Sequence, residues 1–291
     1  ELSLKRFRDI SDYTHINDQL KKYKYLKLLK LNAIDLSNVH HNKITIPPSV
    51  SHLHLDGQRR RMQPIKLKRE SNIIHLELYD FGSKQGQIMF GVLFPRELYI
   101  KCQYLYISNC CFSDFPFGRK DCDLNHFFPK GLKGFSNLCN DGWNHHLVFK
   151  VIQQYASSLE YLGCSESDLN EIKLLKNIKF DKLSQIHIAS IKSFPLIKQI
   201  ISCAPSLEKI GLQDIGRIIR NRMVINKYMK CIFDIKNLKE VRFAVTIPTV
   251  YAIINSIIYA LYNSNTRTTQ IKLRFMISVS YTHLTLPTTK N

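Results

Sequence analysis

The 291-residue chain lacks most of the features that announce a chemistry. No run of 18 or more apolar residues occurs, which excludes an ordinary membrane-spanning helix; the longest apolar stretch, Tyr251 to Tyr262, is too short and fits a core helix. There is no glycine-rich phosphate loop, no H-E-x-x-H pair and no Ser/His/Asp order. The expectation is therefore a protein that is not an enzyme and takes no cofactor. The eight cysteines include no C-x-x-C pair, and they read as reduced thiols of a cytoplasmic or nuclear protein. A zinc site from Cys110, Cys122, Cys139 and His126 is the alternative, but their spacing matches no familiar ligand pattern. No basic start with an apolar signal region follows Glu1, so no secretory address is expected. An arginine-rich helix, a zinc finger and an aromatic RNP motif are all missing, which leaves base readout without a carrier.

Acidic residues are outnumbered, and the formal net charge is +19. A field of that sign favours acidic partners without selecting one. Lysine, isoleucine and asparagine are all frequent and all have A/T-rich codons, so genome composition offers a second origin for the charge. The residues that are present in abundance are aliphatic, and they recur. Leu26-Leu29-Leu31, Val50-Leu53-Leu55, Ile73-Leu76-Leu78, Cys102-Leu105-Ile107, Leu159-Leu162-Cys164, Leu183-Ile186-Ile188, Leu207-Ile210-Leu212 and Leu238-Val241-Phe243 share one L-x-x-L-x-L spacing. Weaker copies at Leu132-Phe135-Asn137 and Thr268-Ile271-Leu273 fill the gaps, so successive triplets lie 23 to 31 residues apart. Leu2 and Leu4 suit one further strand at the start.

The last two residues of each triplet alternate with outward positions, as in a short strand, while the first enters from a turn. Helical spacing precedes or follows some strands, at His146 to Ala156, Phe194 to Ala204 and Thr249 to Tyr262. Three or four aliphatics, at about 1.5 to 3 kcal/mol each, cannot offset about 1 to 2 kcal/mol of ordering per residue over such a unit, so units must stack.

This pattern resembles the leucine-rich-repeat family, whose units run to similar lengths. The resemblance implies an α/β solenoid: a curved stack of short parallel strands on a concave face, with helices or extended connections on the convex face. About ten irregular repeats would span residues 1–277. The family's Asn or Cys three places after the last leucine is present only at Cys110 and Asn140, which implies turns held by packing more than by a side-chain ladder. Ser157 to Cys164 (SSLEYLGC) and Cys203 to Leu212 (CAPSLEKIGL) resemble the irregular repeats of F-box proteins, and Ile46 to Gly57 (IPPSVSHLHLDG) resembles FNIP repeats. The F-box likeness implies a substrate receptor with ubiquitin-ligase components as partners, although no F-box is visible here.

Outward positions on the strands give a candidate binding surface: His52, His54, His75, Glu77, Tyr79, Tyr104, Tyr106, Tyr161 and His187. In-register stacking would set His52 beside His75 and His54 beside Glu77, with a basic end at Arg242, Lys272 and Arg274. Tyrosine-rich, rigidly held surface has the composition of interaction hot spots, although aromatics also simply suit strands. A metal or acid-base role for His52, His54, His75 and Glu77 lacks any visible second shell. A second candidate is the basic stretch Arg59, Arg60, Arg61, Lys66, Lys68 and Arg69, read as a nucleic-acid or acidic-partner patch or as a solvated loop.

The expected function is non-enzymatic recognition by a monomer, with a protein of acidic surface as partner, nucleic acid as the lesser alternative and no membrane. The final segment is set aside. Val279 to Thr288 (VSYTHLTLPT) resembles, codon for codon, a translated transposase sequencing adapter, so 278–291 is expected to be an artefact and the natural chain to continue past Ile277.

Overall fold

A computed structural model describes residues 1–5, 14–32, 45–57, 66–67, 72–81, 99–110, 124–138, 145–165, 178–189, 194–213, 222–263 and 271–278. The first unit holds β1 (Leu2–Lys5), α1 (Thr14–Lys22) and β2 (Leu28–Asn32), followed by β3 (Thr45–Ile46), β4 (His52–Asp56), β5 (Lys66–Leu67), β6 (His75–Tyr79) and β7 (Tyr104–Ser108). Next come α2 (Leu124–Phe127), β8 (Gly134–Leu138), α3 (His145–Tyr155), β9 (Tyr161–Ser165), β10 (Gln185–Ala189), α4 (Phe194–Cys203) and β11 (Lys209–Gln213). The described chain ends with α5 (Arg222–Phe233), β12 (Glu240–Thr246), α6 (Ile247–Asn263) and β13 (Lys272–Ser278).

Among the described residues, eleven strands form one open sheet in chain order, and β3 and β5 pair with each other outside it. Every neighbouring pair is parallel. The fold is thus α/β, a solenoid-like stack in which each unit contributes one strand. A two-residue pair such as β3 with β5 is too short to leave a periodic signal, and nothing in the spacing anticipated it.

Registers follow the aliphatic triplets. Leu4, Leu31, Leu55, Leu78, Ile107 and Asn137 lie opposite one another across successive strands, and Cys164, Ile188, Leu212 and Phe243 continue the column. Leu53, Leu55, Leu76, Leu78, Phe135, Leu162, Cys164, Val241 and Phe243 are completely buried. Each contributes about 1.5 to 3 kcal/mol by leaving water, so the core grows unit by unit.

The last unit departs from the expected alignment. Val241 faces Leu273 and Phe243 faces Phe275, so the core pair is Leu273 with Phe275 and the outward positions are Lys272, Arg274 and Met276. Gln270, expected there, lies outside the described residues. Ile271, Leu273 and Phe275 alternate, and a slip of two residues keeps every side chain on its own face, so hydrophobic patterning tolerates either register.

Turns are joined by a backbone ladder. The carbonyls of Lys27, Ser51, Ile74, Gln103, Lys133, Glu160, Ser184 and Glu208 each accept two N–H donors from the start of the following strand, at 2.6 to 3.1 Å. At the family's Asn/Cys place, the Cys110 thiol donates to the Ser108 and Leu78 carbonyls, and Phe81 is buried with its ring close to Gly57. A Cβ at Gly57 would sit 2.9 Å from the Phe81 ring, so glycine is required by that close approach. Asp80 and Asn109 leave β6 and β7 with positive φ, a conformation that Asx side chains tolerate.

Helices α3, α4 and α6 match the expected helical stretches, whereas α1 and α5 were not anticipated. Helix α6 starts with Pro248 at its second residue, where a missing N–H breaks no helical bond, and it packs on α5. Its outer face leaves Tyr251, Ile254, Ile258, Tyr259 and Tyr262 exposed, and Leu273 on β13 is 37% exposed. Among the described residues no strand follows β13.

Candidate functional site

The face of the sheet turned away from the aliphatic core carries the site. Along β4, β6 and β7 the burial alternates between half-buried and buried, and the half-buried set is His52, His54, Asp56, His75, Glu77, Tyr79, Tyr104, Tyr106 and Ser108. His52 pairs in register with His75, and His54 with Glu77, as the spacing predicts.

Side-chain direction adds what register alone does not contain. Glu77 lies between two imidazoles: His52 Nε2–H donates to its Oε1 at 2.9 Å and His54 Nδ1–H to its Oε2 at 2.8 Å. Burial raises the Glu77 carboxyl, but these two bonds outweigh it and bring the pKa down from 4.5 to about 2. The carboxylate therefore stays charged and already satisfied. On the outer row, His52 stacks on His75 at 5.1 Å, and His75 lies flat on Tyr104 at 4.2 Å with an interplanar angle of 1°. His54 stacks on Tyr79 at 4.8 Å. Burial, helped by the adjacent His52, lowers the His75 pKa, which favours the neutral ring in that stack.

Tyr104 leans away from this stack across β8, and its hydroxyl donates to Glu160 Oε2 at 3.0 Å. The lean is possible because β8 presents Gly134 directly opposite Tyr104; any Cβ there would collide with the ring. Two more glycines act in the same way. Gly163 leaves room for Ser136 and for the Tyr161 hydroxyl, and Gly211 leaves room for the His187 ring. Tyr106 and Tyr161 meet at 5.3 Å over the small Ser136 between them. Burial raises the Tyr79 phenol to about 12 and also raises those of Tyr106 and Tyr161, so all three remain neutral hydrogen-bonding groups at physiological pH.

His187 is separated from the other sequence candidates. It lies over Gly211 beside a small hollow of about 60 Å³ whose lining includes Gln185, Lys209, Arg242 and Met276. Burial, and then the Arg242 charge, lowers its pKa. Next to the hollow, the buried Glu240 carboxylate holds two guanidinium groups, Arg242 Nε at 2.9 Å and Arg274 Nε at 2.6 Å. Sequence reasoning missed Glu160, and it placed Glu240, Gly134, Gly163 and Gly211 on the open face without giving them a part in the site. Glycine inside a strand is unfavourable unless something approaches closely, and that was the available signal.

Of the basic stretch, Arg59, Arg60, Arg61, Lys68 and Arg69 lie outside the described residues, and Lys66 is described only as part of β5. Cys122, Cys139 and the tail 279–291 also lie outside them, while Ser278 pairs with Thr246 at the end of β13. Among the described residues, no three His, Cys, Asp or Glu side chains converge in a metal-binding group, and Cys102, Cys110, Cys164, Cys203 and Cys231 form no disulfide. Searched against protein-family models, curated proteins and solved structures, the chain matches none.

Proposed function

We propose that the chain is a leucine-rich-repeat type recognition module that binds a protein across the open strand face between His52 and Tyr161. The carrying observation is three ring groups on neighbouring strands, His52–His75–Tyr104, His54–Tyr79 and Tyr106–Tyr161, the first two linked through Glu77. These rings are half-buried and seated in register, so a partner meets aromatic surface whose rotamers are already fixed. Association then costs less side-chain entropy than it would for the same residues on a loop. Tyrosines also combine apolar faces with neutral hydroxyl donors, the combination that dominates interface energetics. The family assignment is supported by the triplet spacing and by the in-register columns it generates. The F-box-type receptor role gains no specific support from the described residues.

Panning a displayed random-peptide library on the folded protein tests this reading. Ligands selected on the wild type should lose at least about tenfold in affinity when Tyr104, Tyr106 and Tyr161 are replaced together by Ala. Selected ligands that bind the triple variant unchanged, with its melting transition intact, remove the open-face reading.

A further inference from the structure

The hollow beside His187 has a different chemistry from the aromatic array. On the open face of β10 to β13 the charged residues are Lys209, Arg242, Lys272 and Arg274 against the single carboxylate of Glu240. Glu240 is nearly inaccessible, with a side chain 9% exposed, whereas Arg242 and Arg274 keep 38% and 50% of theirs exposed. One buried carboxylate thus fixes two guanidinium groups side by side on adjacent strands, and it accepts from only some of their N–H donors. The remaining donors are pre-positioned at the surface. Glu208, which precedes β11, is engaged by Lys239 at 2.7 Å.

We propose that this hollow is a carboxylate subsite that receives an Asp or Glu side chain from an acidic segment of a protein partner. Lys209 and Arg242 stand on its walls with Gln185 and His187, and Gly211 seats the His187 ring at its edge. At about 60 Å³ it suits a carboxylate with its methylene and not a base or a sugar. The surrounding charge favours the same occupant. Among the described open-face residues the run of cations stops at β11, since Lys30 is engaged by Glu1 and the face beyond Tyr161 carries Glu77 and Asp56. A nucleic-acid backbone needs a longer positive track than these three or four side chains supply. The inference rests on the open-face recognition reading for its biological partner, and it adds that the partner segment is acidic where it crosses β11 to β13.

The probe is a hexaglutamate peptide titrated into the full chain, with the His187 ring followed by NMR and assigned by its disappearance in His187→Gln. Binding should move the His187 resonance and shift its titration midpoint upward, since a carboxylate beside the ring stabilises the imidazolium. Arg242→Gln should weaken binding about fivefold or more. Lys209→Gln should do the same; Lys209 lies opposite Glu240 but is not one of the two cations that pair with it, so its effect does not arise from breaking those contacts. An oligothymidylate of equal charge should bind more weakly than hexaglutamate. A stationary His187 resonance, a Lys209→Gln/Arg242→Gln double variant that binds as tightly as wild type, or tighter binding of the oligothymidylate would each overturn the subsite. None of these readouts uses Tyr104, Tyr106 or Tyr161, so failure of the subsite and failure of the aromatic surface are separately visible.

Discussion

Replacing Glu77 by Gln keeps the shape of the side chain and removes the charge to which His52 and His54 both donate. The carboxyl has a pKa of about 2 in the folded chain against an ordinary 4.5. At about 1.4 kcal/mol for each tenfold change in proton affinity, the charged form is favoured in the fold by about 3.5 kcal/mol. The sign follows from the direction of the shift. A depressed folded pKa gives stability that is fully present above 4.5 and is lost as the pH falls toward 2. Glutamine retains one acceptor and recovers part of the loss, so the expected gap between wild type and Glu77→Gln is about 1.5 to 3 kcal/mol near neutrality. Urea unfolding followed by far-ultraviolet circular dichroism, repeated at descending pH, measures it. The two curves should converge as the wild-type carboxyl protonates. A gap below about 0.5 kcal/mol at neutral pH, the scale of an exposed ion pair, would refute the argument. So would a gap that persists undiminished down to the folded pKa.

Two further perturbations test the packing. Gly134→Ala should destabilise the chain by about 1 to 3 kcal/mol, as overpacking does, because the new methyl meets the Tyr104 ring; in a Tyr104→Ala background the same change should be close to neutral. An equal loss in both backgrounds, read from melting transitions, would show that Tyr104 is not the obstacle. Leu53→Ala, at a completely buried position, should lose about 2 to 5 kcal/mol, whereas Leu273→Ala at the equivalent position of the last unit, 37% exposed, should lose well under half of that. Equal losses measured in urea would mean that Leu273 is covered in solution.

The periodic part of the molecule was legible because its physics is local and repeated. A side chain two places along a strand returns to the same face, so Leu53 with Leu55 and Leu76 with Leu78 announce both the strand and its buried side. Stacking like units then aligns like positions, which is why His52 beside His75 was visible in advance. The same rule explains the error at the end of the chain. Alternation cannot distinguish Ile271 with Leu273 from Leu273 with Phe275, since both place apolar groups inward; the partner strand β12 decides it. Helix α5 was missed because its apolar residues are interspersed with polar and basic ones at Arg222, Asn226, Lys227 and Lys230.

The sequence by itself therefore determined the unit, the strand order and, as far as β12, which residues stand on the open face. Only the tertiary structure decided what those residues do to one another. Glu77 draws in His52 and His54 from the neighbouring strand, Tyr104 reaches Glu160 fifty-six positions away, and Glu240 holds Arg242 together with Arg274. Period-two alternation states the face on which a side chain stands but not the direction in which it leans. That direction depends on the room left by a neighbour, such as the missing Cβ of Gly134 or Gly211, and the neighbour belongs to another unit brought alongside only by folding.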